Sequence, residues 1–364
     1  MGGNKKKLLQ MGATIGILGG GQLARMLAMA AAKLGLRTVI FCPEEECPAA
    51  SLVDRHIIAD YNDATALRKF AAAVDVATYE FENIPSAYLD VLSKCVPNLF
   101  NAKALRIAQN RLLEKDFFTK HDLPVAPYCP IDNLEQLEKA LASFGERSLL
   151  KTRQLGYDGH GQINVEKLGI EGAKKAFIEG GSCPSILESF VDFTQEFSII
   201  VARDIYGTLA FYDMPQNIHK NGILHRSVVP AKLSSSTVTK AQKIAEKVTT
   251  LLDYTGVLVI EFFVLQGEKL LINEMAPRVH NSGHWTMDAC ITSQFEQHIR
   301  AISGLFLGGT TRHSDCEMYN LLGAAVEGFE SLLQQPQLSL HLYGKKIVRP
   351  GRKMGHFTIL KHKS

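Results

Sequence analysis

Between residues 14 and 24 the chain reads Thr14-Ile15-Gly16-Ile17-Leu18 and then Gly19-Gly20-Gly21-Gln22-Leu23-Ala24. A short apolar run enters a glycine turn, and apolar residues recur at helical spacing over 22–34, which predicts a strand, a turn and a helix. Further strands are expected at 37–41 and 74–79, with a helix at 64–74 between them. This βαβαβ alternation commits the first hundred residues to a parallel sheet with right-handed crossovers. The glycines match a G-x-G-x-x-A pattern, whose backbone can approach a phosphate at a helix N-terminus. Glu44 follows the second strand, where a ribose-binding acid sits in nicotinamide dehydrogenases. A dehydrogenase is therefore one reading. The other is a parallel domain that needs glycine at its first turn for packing alone.

Beyond this unit the pattern changes. A helix is expected over 102–121, carrying Arg106, Arg111 and Lys115. Pro124, Pro127 and Pro130 then interrupt the chain. Asp132 and Glu135 have capping-box spacing ahead of a helix with Leu134, Leu137, Leu141 and Phe144 on its buried stripe. Gly145 ends that helix. Short strands follow at 148–151, 162–165, 185–188, 197–202 and 208–212, then a helix at 237–252 and strands at 257–265 and 269–275. A small α+β segment begins near 311. The expected domains are 1–101, 102–310 with a glycine-loop subdomain at about 125–190, and 311–364.

Composition closes off several function classes. The 364 residues carry 40 Lys and Arg against 37 Asp and Glu, a formal charge of +3. So small a charge gives no reason to expect nucleic acid or a membrane surface as a partner. No apolar run approaches the roughly 18–20 residues of a membrane helix. Lys5-Lys6-Lys7 precedes an apolar stretch, but that stretch runs into the glycine turn rather than a cleavage site. The seven cysteines, at 42, 47, 95, 129, 183, 290 and 316, form no C-x-x-C pair. They read as free thiols in a reducing, cytoplasmic setting, against a disulfide framework or a zinc ribbon.

Four later motifs carry chemistry. Lys151 precedes Gly156-Tyr157-Asp158-Gly159-His160-Gly161-Gln162, a glycine-rich loop between two strands. Its backbone N–H groups could fold over a polyphosphate above the lysine. Gly267 and Glu268 suggest a two-residue hairpin loop, and with that loop Glu261 faces Glu274 across the strands. Two facing carboxylates repel, and a hard cation such as Mg²⁺ relieves them, with Asn273 adjacent. Arg278-Val279-His280-Asn281-Ser282-Gly283-His284-Trp285 follows at once, rich in phosphate donors. The fourth, Lys345 to His356, is a short basic, glycine-rich segment suited to a small anion or to solvent.

Taken together, these strings resemble the ATP-grasp superfamily, and within it the 5-(carboxyamino)imidazole ribonucleotide synthetases of purine biosynthesis. The resemblance spans nearly the whole chain. Its most specific parts are Asn273 to Trp285 and Arg349-Pro350-Gly351-Arg352-Lys353-Met354-Gly355-His356. It implies a mixed α/β and α+β architecture: an ATP-grasp fold with an N-terminal Rossmann-like domain and a small C-terminal domain. The implied reaction is ATP-dependent carboxylation of aminoimidazole ribonucleotide with bicarbonate, through carboxyphosphate, by a homodimer. By the family pattern Arg111, Lys151, the loop Gly156, Tyr157, Asp158, Gly159, His160, Gly161 and Gln162, and Glu188, Ser189, Phe190 and Val191 hold ATP. Glu196 holds its ribose, and His219, Asn273 and Glu274 also touch the nucleotide. Glu261 and Glu274 hold Mg²⁺, for which Mn²⁺ can substitute. Gly21, Gln22, Leu23, Glu80, Tyr157, Asp158, Arg278, His280, Asn281, Ser282, Lys345 and Arg352 form the ribonucleotide and bicarbonate side. Lys151, Tyr157, Arg278 and Lys345 are the implied catalytic groups. The runner-up is another ATP-grasp carboxylase or ligase acting on a phosphorylated small molecule.

Overall fold

The computed structural model describes residues 8–96, 101–156 and 161–363. Among these, three sheets form. The first is fully parallel, with strands Arg55–Ile58, Arg37–Cys42, Thr14–Leu18 and Val76–Tyr79 side by side in that order. Alternate residues face opposite ways, so Ile15, Ile17 and Ile40 pack on helix Gln22–Lys33, while Leu18, Val39 and Phe41 pack on helix Ala64–Ala72. Burial on both faces explains why these strands read as continuous apolar runs. The edge strand Arg55–Ile58 has no such run and was not expected, nor was helix Ser86–Cys95.

The helix expected over 102–121 is two helices, Ala102–Ala108 and Arg111–Lys120. Asn110 separates them because its Oδ1 accepts the Leu112 and Leu113 N–H groups at 3.0 and 3.3 Å, the work of an N-cap. The capping box at Asp132 and Glu135 is displaced by one residue. Asn133 is the cap, accepting from Gln136 N at 2.9 Å, and Gln136 Oε1 reaches back to Asp132 N at 2.7 Å.

The second sheet is antiparallel, with strands Tyr128–Ile131, Ser185–Ser189, Ser148–Thr152 and Gln162–Asn164 in that order. Helices Leu134–Phe144 and Val165–Glu179 close its core. The latter bends at Gly169, whose φ of +71° breaks the helical period and hid the helix in the sequence.

The third sheet has nine strands. Hairpin Gly256–Val264 and Leu270–Ala276 joins Gln195–Arg203, then Gln216–Lys220 and Ile223–Val229. The C-terminal strands Asp315–Leu322, Lys353–Lys361 and Leu338–Leu342 continue the same sheet. Helix Gln294–Ile302 packs between this sheet and the parallel one, where His298 Nε2 meets Thr78 Oγ1 at 2.8 Å and Lys33 pairs with Glu296 at 2.6 Å. This docking aims the glycine turn of the first sheet at the hairpin of the third. No helix among the described residues is long and apolar enough to cross a membrane.

Candidate active site

The hairpin brings Glu261 and Glu274 face to face, by a route the sequence reading did not foresee. The turn holds three residues, Gln266–Glu268, closed by Leu265 N donating to Lys269 O at 2.8 Å. Alone, that turn would shift the register by one and part the carboxylates. A bulge next to Glu261 restores it, since Phe262 pairs with Ile272 and Glu261 with Glu274, leaving Asn273 extra. A regular strand sends adjacent residues to opposite faces, whereas the bulge lets both Asn273 and Glu274 line one cleft.

That cleft encloses about 670 Å³ and gathers residues from all three sheets. Its lining includes Arg111, Lys151, Gly156, Gln162, Glu196, His219, Glu261, Asn273 and Glu274. It also includes Gly21, Gln22, Leu23, Glu80, Arg278, His280 and Asn281. Both amide atoms of Asn281 are buried without a hydrogen-bond partner among the described residues, a sign of a wall built for a ligand.

The charges are strongly organised. Burial and the neighbouring Glu274 raise the Glu261 carboxyl to about 7, partly offset by His219. The same two influences raise buried Glu114 to about 8, although its Oε1 accepts Met275 N at 2.7 Å. Glu188 is the opposite case. Burial would raise it, but Lys151 at 3.1 Å and Lys115 at 3.6 Å hold it down at about 2. Lys115 also donates to Asn273 O at 2.8 Å, tying the bulge to helix Arg111–Lys120. Burial lowers His219, but the Glu196 carboxylate at 2.6 Å outweighs it, and the imidazole is raised overall. Burial and then Arg278 hold His280 well below its usual range, so its ring is neutral. Its Nδ1 accepts Ser282 N at 3.3 Å, and its Nε2 lies 3.3 Å from Glu261 Oε1.

The glycine turn holds an anion of the protein's own. Glu80 accepts the N–H of Gly21, and that of Ala24 at 2.9 Å. A pyrophosphate would need these groups, so the dehydrogenase reading fails at this turn. Burial raises Glu80, while those two N–H groups and then Arg278 and Lys345 oppose the shift.

Several expected residues stand elsewhere. Glu188, Ser189, Phe190 and Val191 do not line the cleft, and Glu188 reaches it through Lys151. Ser282 is fully buried, its hydroxyl accepting from Ser198 at 2.7 Å in a chain that runs on through Asn217 to Ser227. Gly161 does not line the cleft and packs on Thr152, whose Oγ1 a Cβ there would approach to 2.5 Å. Lys345 donates to Lys353 O at 2.7 Å and Arg352 to Ile347 O at 2.8 Å; Lys353 lines the cleft instead. Tyr157, Asp158, Gly159 and His160 lie outside the described residues. The sequence reading missed Glu82, which grips Arg278 Nε at 2.7 Å, and the buried Glu114. Phe118, four residues after Glu114, marks the buried stripe that could have shown it. Phe193 and Phe263, stacked with centroids 4.7 Å apart, add an apolar wall.

Comparison with known proteins agrees with this geometry. Three family models match in order: the ribonucleotide synthetase preATP-grasp domain over 12–109, the ATP-grasp domain over 116–295, and the phosphoribosylaminoimidazole carboxylase C-terminal domain over 316–364. The N5-carboxyaminoimidazole ribonucleotide synthase of Brucella melitensis is 51% identical, with 98% of each chain covered. The crystal structure of the Staphylococcus aureus N5-carboxyaminoimidazole synthetase complexed with ADP superposes with a TM-score of 0.92 at 34% identity, covering 98% of this chain and 95% of that one. The Aspergillus clavatus enzyme, in complex with ADP and 5-aminoimidazole ribonucleotide, superposes with a TM-score of 0.86 at 28% identity over 96% and 94%. One cleft uniting the paired glutamates with the glycine turn, and likeness along the full length, lead to one conclusion: the chain belongs to the N5-carboxyaminoimidazole ribonucleotide synthase family of ATP-grasp ligases.

Proposed function

We propose that this chain carboxylates the exocyclic amine of 5-aminoimidazole ribonucleotide at the expense of ATP, in purine biosynthesis. The observation that carries the reading is that the paired glutamates and the glycine turn share one cleft, which Arg278 and His280 also line. A bicarbonate oxygen attacks the γ-phosphorus and the bond to ADP breaks. The ribonucleotide amine then attacks the carbon of carboxyphosphate, phosphate leaves with that oxygen, and the amine proton passes to solvent.

Each side chain has a task under this reading. Lys151 and Arg111 place positive charge along the phosphates, where negative charge shifts during transfer. Glu188 aims Lys151 through an ion pair at 3.1 Å. Glu196, held by His219 at 2.6 Å, accepts from the ATP ribose. Glu261, Glu274 and Asn273 offer hard oxygen donors, and Glu261 is raised by burial and then by facing Glu274, so the set fits Mg²⁺ or Mn²⁺. Such an ion supplies charge neutralisation of the phosphates. Arg278, gripped by Glu82, and neutral His280 serve bicarbonate. Gly21, Gln22, Leu23 and Lys353 serve the ribonucleotide, whose phosphate calls for donors. The family also implies a homodimer, which sedimentation equilibrium checks. The test of the chemistry uses bicarbonate labelled with ¹⁸O. One labelled oxygen should appear in each phosphate released; unlabelled phosphate would reject the carboxyphosphate route.

A further inference from the structure

Two cysteines and a histidine gather immediately behind the glycine turn. Cys42 ends strand Arg37–Cys42, His56 lies on the neighbouring strand Arg55–Ile58, and Cys47 comes from the loop between them. Cys42 Sγ is 3.5 Å from Cys47 Sγ and 3.1 Å from His56 Nε2. The three donor atoms all lie within 4.8 Å of one another. Cys42 is buried, and Cys47 and His56 are half-buried, which leaves a solvent side for entry. We propose that Cys42, Cys47 and His56 form a site for a thiophilic divalent cation of the zinc class, separate from the carboxylate pair of the cleft.

The chemistry of the donors selects the ion. Thiolate and imidazole favour Zn²⁺ and disfavour Mg²⁺, the reverse of the oxygen donors at Glu261 and Glu274. Tetrahedral zinc with bonds of about 2.3 Å to sulfur and 2.0 Å to nitrogen sets its ligands roughly 3.8 and 3.5 Å apart. The two spacings from Cys42 are shorter by only a few tenths of an ångström, and the third pair of donors stays within 4.8 Å, so small side-chain adjustments bring the set to zinc geometry. Three protein ligands leave the fourth position to solvent. The spacing, four residues between the cysteines and eight before the histidine, matches no zinc ribbon, which is why the sequence reading set these thiols aside.

The position gives the site a consequence. A Cβ on Gly20 would fall 2.4 Å from Cys47 Sγ and 2.5 Å from Cys42 Sγ, so the back of the turn rests on the two sulfurs. Ala49 N also donates to Gly20 O at 2.9 Å. A bound ion ties the strand end, the loop and the neighbouring strand around the backbone that presents Gly21 to the cleft.

The test titrates the reduced, metal-free full chain with Co²⁺, then Zn²⁺. A thiolate-to-cobalt charge-transfer band should appear, saturate at one equivalent and bleach on adding one equivalent of Zn²⁺. Cys47→Ser and His56→Ala should each weaken Co²⁺ binding by about tenfold or more. Glu274→Gln should leave the band unchanged, which separates the site from the cleft. Zinc should also slow alkylation of Cys47, a reading that needs no variant. Absence of the thiolate band, unchanged affinity in both variants, or equal alkylation with and without zinc each overturns the proposal.

Discussion

Glu261 stands directly across the hairpin from Glu274, kept there by the one extra residue, Asn273, in the second strand. Glu274 is open to the cleft, so Glu274→Gln removes charge without disturbing the core. We expect that variant to lose at least about 100-fold in ADP production, with an unchanged circular dichroism spectrum. A coupled ADP assay checks the loss.

The partner glutamate should trade stability for function. The Glu261 carboxyl is raised from 4.5 to about 7 by burial and Glu274. The folded chain therefore holds a proton that the unfolded chain releases, and stability falls as pH rises from 4.5 to about 7. Glu261→Gln removes that loss. The metal-free variant should be about 2–3 kcal/mol more stable than the parent at pH 8 and no more stable below pH 4.5. Urea unfolding at the two pH values measures the difference, and the variant should be inactive.

Glu188 should act in the reverse sense. Its carboxyl sits at about 2 because Lys151 and Lys115 outweigh the cost of burial. Its stabilising contribution is present above pH 4.5 and is lost as pH falls toward 2. Glu188→Gln leaves two buried ammonium groups without their counter-ion, which should cost about 3–5 kcal/mol at pH 7. Urea unfolding at pH 7 and again near pH 2.5 should show the gap shrinking.

The glycine turn should serve the ribonucleotide and not ATP. A Cβ on Gly21 would come within 2.7 Å of Glu80 Oε1, so Gly21→Ala must push that carboxylate off the helix end. The KM for the ribonucleotide should rise about tenfold or more while the KM for ATP stays within about twofold. Equal rises in both would place the turn on the nucleotide side.

How much of this was legible depended on whether neighbouring residues alone decide the structure. The strand–turn–helix at 14–24 was legible because both flanks are apolar at their own periods. The facing of Glu261 and Glu274 was anticipated on an incorrect turn: a three-residue loop and a bulge cancel, and neither is encoded in hydrophobic alternation. Glu80 at the helix end, Glu82 on Arg278 and Glu188 on Lys151 join residues far apart in sequence, so no spacing rule finds those contacts. The cysteine cluster was invisible for the same reason, since strand pairing and a loop bring it together.

The most direct test of the whole account is phosphate release from ATP in four mixtures: with bicarbonate and ribonucleotide together, with each alone, and with neither. The account predicts fast release only when both are present, matched one for one by carboxylated ribonucleotide. Release at the same rate without the ribonucleotide would contradict it.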